Sequence, residues 1–185
     1  GKPIRQSLAE IEKCAWVCDY YAEHAEAFLR DQIVPTEFRK SFVSFEPLGV
    51  VASIMPWNFP FWQVMRFAVP ALTAGNVGIL KHSSICLGSS LKLQEAFLDA
   101  GFPENVFSIV IGDYRVGEAL VQAEIDAVSV TGSLNTGKRV AELASKDLKK
   151  FVLELGGSDP FVVLEDADLN QTSHMATQSR LLNTG

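Results

Sequence analysis

Cysteine is scarce in this sequence. Cys14, Cys18 and Cys86 are the only three. An odd count without paired spacing fits a reducing compartment, and the expected location is cytoplasmic. Cys14 and Cys18 stand one helical turn apart, but no Cys or His spacing supplies the two further ligands that a structural zinc needs. Basic charge is also short: 16 Lys and Arg face 22 Asp and Glu, for a formal net charge of −6. The basic residues are scattered, which argues against a nucleic-acid surface or a polybasic membrane patch. No apolar run reaches the roughly 18 residues that a membrane span needs. The first residues, GKPIRQSLAEIEK, contain neither the apolar core of a signal peptide nor an initiating Met. They read as the start of an internal piece of a longer chain.

What is present is enough apolar material to build a core, with 48% of the 185 residues hydrophobic. Ser7-Leu8-Ala9-Glu10 reads as a capping box. Behind it, Leu8, Ile11, Ala15, Cys18, Ala22, Ala25 and Leu29 recur at spacings of three and four, one apolar stripe on a long helix. Val34-Pro35 breaks that pattern, and residues 41–45 alternate as a half-buried strand does. From residue 48 a unit repeats. Strands are predicted at 48–54, 77–81, 106–111, 127–130 and 151–155, and helices at 61–74, 87–100, 115–122 and 134–145. A further strand at 161–164 and a helix from Asp168 follow Gly156-Gly157. Alternation of this kind predicts an α/β fold, a Rossmann-like parallel sheet with helices on both faces. The near-continuous apolar strands suit a sheet covered on both sides.

The loop TGSLNTGKR, residues 131–139, follows the fourth of these strands. It is almost a P-loop, but Arg139 stands where a Ser or Thr hydroxyl should hold magnesium. A dinucleotide loop uses the same physics, backbone N–H groups at a helix N-terminus aimed at phosphate. The usual G-x-G-x-x-G is absent, and an ordinary βα turn remains open for the loop taken alone. Three other short segments share its edge of the sheet: Met55-Pro56-Trp57-Asn58-Phe59-Pro60, Leu80-Lys81-His82-Ser83-Ser84, and Leu153-Glu154-Leu155-Gly156-Gly157. Ligands bind at the carboxyl ends of such strands.

PWNFP, GILKHSS, TGS followed by Gly137, and LELGG, in this order and at these intervals, resemble the aldehyde dehydrogenase superfamily. The similarity runs from about Leu8 to Gly185. KHSS and ELGGSDPFVVLEDADL look most like its bacterial succinate-semialdehyde dehydrogenase branch. The resemblance implies NADP- or NAD-dependent oxidation of a small aldehyde to the acid, by way of a cysteine thiohemiacetal and thioester. It assigns Asn58 as the oxyanion donor and Glu154 as the general base for thioester hydrolysis. A neutral amide suits the alkoxide, since a cation there would oppose departure of hydride.

By the same resemblance, Lys81 meets the adenosine ribose and Gly132 and Ser133 meet the pyrophosphate. Met55, Pro56, Trp57, Gly112, Thr131, Thr136, Leu155 and Gly156 complete the expected cofactor set. Ser84 stands where many NAD-preferring relatives carry Glu. A hydroxyl can donate to a 2′-phosphate that a carboxylate would repel, so NADP is expected to be accepted. The implied organisation is a helical lead-in over 1–30, an oligomerisation arm over 31–47, a dinucleotide-binding domain over 48–156, and the start of a truncated catalytic domain over 157–185. The parent would be a homodimer or homotetramer. None of the three cysteines lies in the family's G-Q-x-C context. The pattern puts the nucleophile at the third position after Gly185, so this chain alone is expected to be inactive. No metal, nucleic acid or membrane partner is implied. The alternative reading is a non-catalytic dinucleotide-binding or structural member of the same fold. An ATP-binding P-loop protein stands third, disfavoured by Arg139.

Overall fold

The computed structural model of the protein describes residues 2–184. Its centre is a five-stranded parallel sheet: β3 (Val50–Met55), β4 (Val77–His82), β5 (Phe107–Val110), β6 (Ala127–Gly132) and β7 (Lys150–Leu155), in the order β5-β4-β3-β6-β7. Parallel neighbours need crossover helices, and the sequence supplies them. These are α2 (Trp62–Thr73), α3 (Leu87–Asp99), α4 (Tyr114–Gln122) and α5 (Leu134–Ser145). On one face, Leu120, Val121, Val140, Leu143 and Ala144 of α4 and α5 close over Ala52, Val128 and Val130. On the other, Val64 and Ala68 of α2 and Leu93 and Phe97 of α3 close over Met55, Leu80 and Phe107. Double coverage explains why β3, β4 and β6 read as apolar runs rather than as alternating ones.

The long first helix, α1 (Ile4–Leu29), packs mainly on α2. Its period matches the expectation and its phase does not. Glu10, Cys14 and Val17 face the body, while Leu8 and Ile11 of the predicted stripe are 59% and 46% exposed. The capping box is not formed either. The helix starts earlier, after Pro3, and the Ser7 hydroxyl inside it donates to the Pro3 carbonyl at 3.4 Å. The cause is tertiary: Glu10 is drawn under the N-terminus of α2, where its carboxylate accepts backbone N–H groups.

Two other expectations change. Only Phe42–Val43 (β2) is extended within 41–45. It pairs antiparallel with Gln32–Ile33 (β1) as an exposed two-stranded ribbon. Residues 161–164 form no strand and stand exposed, because among the described residues no strand edge pairs with them. The last long helix, α6 (Leu169–Leu181), is capped by Asp168, which accepts from the Gln171 N–H at 2.9 Å. Among the described residues, no helix is long and apolar enough to cross a membrane.

The entry to β3 is held by two side chains. Asn76 Oδ1 accepts from the N–H groups of Leu48 (2.6 Å) and Gly49 (3.1 Å), and Asp126 Oδ2 accepts from the Val50 N–H at 2.7 Å. Gly49 has φ +121°, and a Cβ there would lie 2.3 Å from Asp126 Oδ2. Gly49→Ala is therefore expected to lower unfolding free energy by about 1–3 kcal/mol, combining backbone strain with loss of the Asp126 brace. Urea unfolding checks this, with the midpoint moving down at unchanged slope.

Candidate active site

β3 pairs with β4 on one side and with β6 on the other, so the chain leaves its carboxyl end in both directions. A crevice opens at such a reversal. Here it is an open cleft of about 490 Å³. Its floor and walls come from Met55 and Pro56 after β3, Lys81 at the end of β4, and Thr131, Gly132, Ser133 and Thr136 from the β6–α5 turn. Tyr114 and Glu118 of α4 and Asn135 and Arg139 of α5 also line it; of these four the sequence singled out Arg139 alone, as the departure from a P-loop. Ser84 and Gly112 line a separate pocket of about 80 Å³ at the ends of β4 and β5. Trp57 is 62% exposed, which excludes a place in the core. Trp57, Asn58, Leu155 and Gly156 lie outside the lining of the larger cleft.

Lys81 is buried, and its stem passes close to Gly117 of α4. Burial pushes its amino group down from the ordinary lysine value, against a smaller opposing pull from Asp113. Among the described residues it has no hydrogen-bond or ion-pair partner. A desolvated ammonium without a partner is costly, and a ligand oxygen would offset that cost. The N-terminus of α5 frames the other side. Ser133 caps it, its hydroxyl accepting from the Thr136 N–H at 3.2 Å. Gly137 sits where a Cβ would come within 2.5 Å of Leu155, so its place in the loop serves contact between α5 and β7.

Arg139 has a structural use. Its guanidinium forks onto both Glu118 oxygens, at 2.7 and 3.2 Å, and reaches Glu142 at 3.1 Å. The Glu118 hydrogen bonds push the arginine up and hold the Glu118 carboxyl below its usual range. Arg139 thus ties α5 to α4 across the cleft and supplies no oxygen for a metal ion.

Asn58 lies in the turn between β3 and α2. Its Oδ1 accepts from the Phe59 N–H at 3.1 Å, which leaves Nδ2 as the donor side of the amide. His82, at the end of β4, fastens this turn. Its Nε2 is 2.9 Å from the Pro60 carbonyl, and its Nδ1 accepts from the Ser83 N–H at 2.8 Å. Those partners require the neutral Nε2–H tautomer. Burial, first of all, pushes its pKa below the ordinary histidine value.

Glu154 stands on β7 opposite Thr131 of β6. It is half exposed and 3.8 Å from Arg66 of α2, whose other nitrogen reaches the Thr131 hydroxyl at 3.4 Å. Both residues border a second cleft, of about 530 Å³, between α2 and the β6–β7 face. That cleft runs back to Leu48, Ala127 and Lys150 at the amino ends of the strands, so it is not the crevice at the reversal point. Gly156 has open space where a Cβ would stand. The cysteines are not poised as nucleophiles. Burial pushes Cys14 up to about 12 and raises Cys18 and Cys86 as well. Among the described residues, no group of three or more His, Cys, Asp or Glu is placed to hold a metal ion.

A doubly wound parallel sheet with a crevice at its reversal point is the architecture of a dinucleotide-binding domain. The family model described as Aldehyde dehydrogenase family matches residues 1–185, and the chain belongs to that family. It is 50% identical to a probable NADP(+) succinate-semialdehyde dehydrogenase of Synechocystis sp., over all of this chain and 41% of that protein. It is 45% identical to the succinate semialdehyde NAD(P)+ dehydrogenase Sad of Escherichia coli K12, over all of this chain and 40% of that protein. Among solved structures, succinic semialdehyde dehydrogenase from Streptococcus pyogenes in complex with NADP+ superposes with a TM-score of 0.90 at 36% identity. The match covers 95% of this chain and 39% of that one. The chain thus spans about two fifths of the length of these relatives.

Because the folded pKa of His82 is lowered, the unfolded chain takes up the proton first as pH falls. Stability from neutral His82 is complete above about pH 6.5 and is lost as pH drops below it. The melting temperature of the full-length protein should therefore fall between about pH 7 and about pH 5. His82→Gln, which cannot titrate, should flatten that profile. An equally steep profile in the variant contradicts the assignment.

Proposed function

We propose that this chain is the cofactor-binding part of an NADP- or NAD-dependent aldehyde dehydrogenase acting on succinate semialdehyde or a similar small aldehyde. The observation that carries the reading is Lys81. It presents to the cleft at the reversal point, opposite the N-terminus of α5, a buried ammonium that has no partner among the described residues. Both are polar groups that a dinucleotide can satisfy. The substrate class is supported by the names of the relatives. The three free thiols suit a reducing, cytoplasmic setting.

In this proposal Lys81 donates to the adenosine ribose and the β6–α5 turn receives the pyrophosphate at Gly132 and Ser133. Ser84, in the adjoining pocket, offers a hydroxyl to a 2′-phosphate. Bound there, the dinucleotide supplies the acceptor for the hydride that leaves the aldehyde carbon. Asn58 Nδ2 donates to the oxygen that becomes negative when a thiolate adds to the aldehyde. Glu154 takes the proton from the water that cleaves the thioester. The thiol itself is assigned to a cysteine outside this sequence. Residues 48–156 are the dinucleotide-binding domain and 1–30 its helical lead-in. The exposed ribbon in 31–47 is an arm between subunits of a homodimer or homotetramer, and 157–185 begin the catalytic domain.

In the full-length protein, Asn58→Ala should lower kcat by about 10²–10³ with little change in KM. Glu154→Gln should keep a first-turnover burst of NADPH while slowing the steady state by about 10²–10⁴. Stopped-flow and steady-state absorbance at the nicotinamide band read both. Wild-type rates in Asn58→Ala would remove Asn58 from the mechanism. No aldehyde-dependent reduction by the full-length protein would favour the non-catalytic reading.

A further inference from the structure

The turn that carries Asn58 is held from outside by a side chain that takes no part in the proposed chemistry. Helix α2 begins after Phe61, which offers no side-chain cap. Its first N–H groups are instead met from α1. Glu10 Oε1 accepts from the Phe61 N–H at 2.7 Å and from the Trp62 N–H at 2.9 Å, across 51 and 52 residues of chain. Glu10 Oε2 pairs with the Lys2 ammonium. That ammonium lies 3.4 Å from the Asn58 carbonyl and 3.9 Å over the Phe59 ring. The Glu10 side chain is only 2% exposed.

A carboxylate so deeply buried is tolerated only when it is paired and fully hydrogen-bonded. Removing either partner leaves a buried charge or orphaned helix N–H groups. A local Ser or Asp would cap α2 without reaching into another helix. The arrangement through Glu10 does more: one carboxylate holds Phe61 and Trp62, and its Lys2 partner holds Asn58 and Phe59. His82 holds Pro60 from the sheet side. The backbone from Asn58 to Trp62 is thus anchored by Lys2 just ahead of α1, by Glu10 on α1 and by His82 on β4.

We propose that Glu10, acting with Lys2, is a positioning residue that fixes the Asn58 amide for the oxyanion. This rests on the reading of Asn58 as oxyanion donor. The pair lies outside the lining of the cleft at the reversal point. It acts by setting the backbone on which Asn58 stands, where a misplacement of about 1 Å can cost on the order of 100-fold in rate.

The test is a double-mutant cycle in the full-length protein, with folded active sites counted by titration with NADP. Glu10→Ala should lower kcat by roughly tenfold to 100-fold, leaving the KM for aldehyde and the Kd for NADP within about twofold. Glu10→Gln keeps an oxygen for the two N–H groups but sets an NH₂ against the Lys2 ammonium, so it should lose about threefold to tenfold, a partial rescue. In an Asn58→Ala background both losses should vanish, since nothing remains to be positioned. If Glu10→Ala does not fold, the Glu10→Gln cycle decides alone. Losses that persist at full size in the Asn58→Ala background overturn the proposal, as does wild-type kcat per active site in the Glu10 variants. If Asn58→Ala itself keeps wild-type kcat, the oxyanion reading fails and the proposal falls with it.

Discussion

Everything in this chain hangs on the double pairing of β3. It hydrogen-bonds to β4 along one edge and to β6 along the other, in register over most of its length. That pairing makes the sheet a two-directional winding, and the reversal makes the crevice. Lys81 arrives from β4, Thr131 and Gly132 from β6, and Met55 and Pro56 from β3 itself. No single segment could present these groups together. The cleft is a consequence of strand order, and the helices then dress it.

The residues around the cleft divide into those left open and those already bonded. Arg139 is committed to Glu118 and Glu142, and Ser133 to Thr136. Such groups hold walls in place. Lys81 is buried with no partner among the described residues, and the Asn58 amide keeps its donor side outside the turn. Free polar capacity therefore concentrates where the family resemblance puts cofactor and oxyanion. Glu154 shows an intermediate state, half exposed and 3.8 Å from Arg66. The long reach of Glu10 under α2 belongs to the same logic: the turn that carries Asn58 is held from another helix.

The strands and crossover helices were legible because each is covered on both sides or faces one core, so hydropathy and fold agree. Residues 134–145 could be read to the residue, since Ser133 and Thr136 cap that helix locally. Where long-range contacts decide, the sequence misleads. The inward face of α1 carries a Glu, and a rule that turns the most apolar stripe inward selects a phase one residue away. The apolar run at 161–164 looks like a strand, but a strand exists only with a neighbour to pair. Asn58, Glu154 and Lys81 were singled out through motif resemblance at strand ends. Glu10 and His82 could not be found that way, because what they bind is backbone many residues distant. Tyr114 and Glu118 were missed for a related reason: α4 reaches the cleft only through the order of the strands.

The central claim is that the crevice beside β3 binds a dinucleotide through Lys81. Its most direct test is the equilibrium dissociation constant of NADP for the full-length protein, measured calorimetrically for wild type and for Lys81→Met. A hydrogen bond to a charged group contributes about 1.5–3 kcal/mol, so the account predicts weakening by roughly tenfold to 100-fold with the fold intact. Equal affinity in the two proteins, or no binding to the wild type, would contradict it.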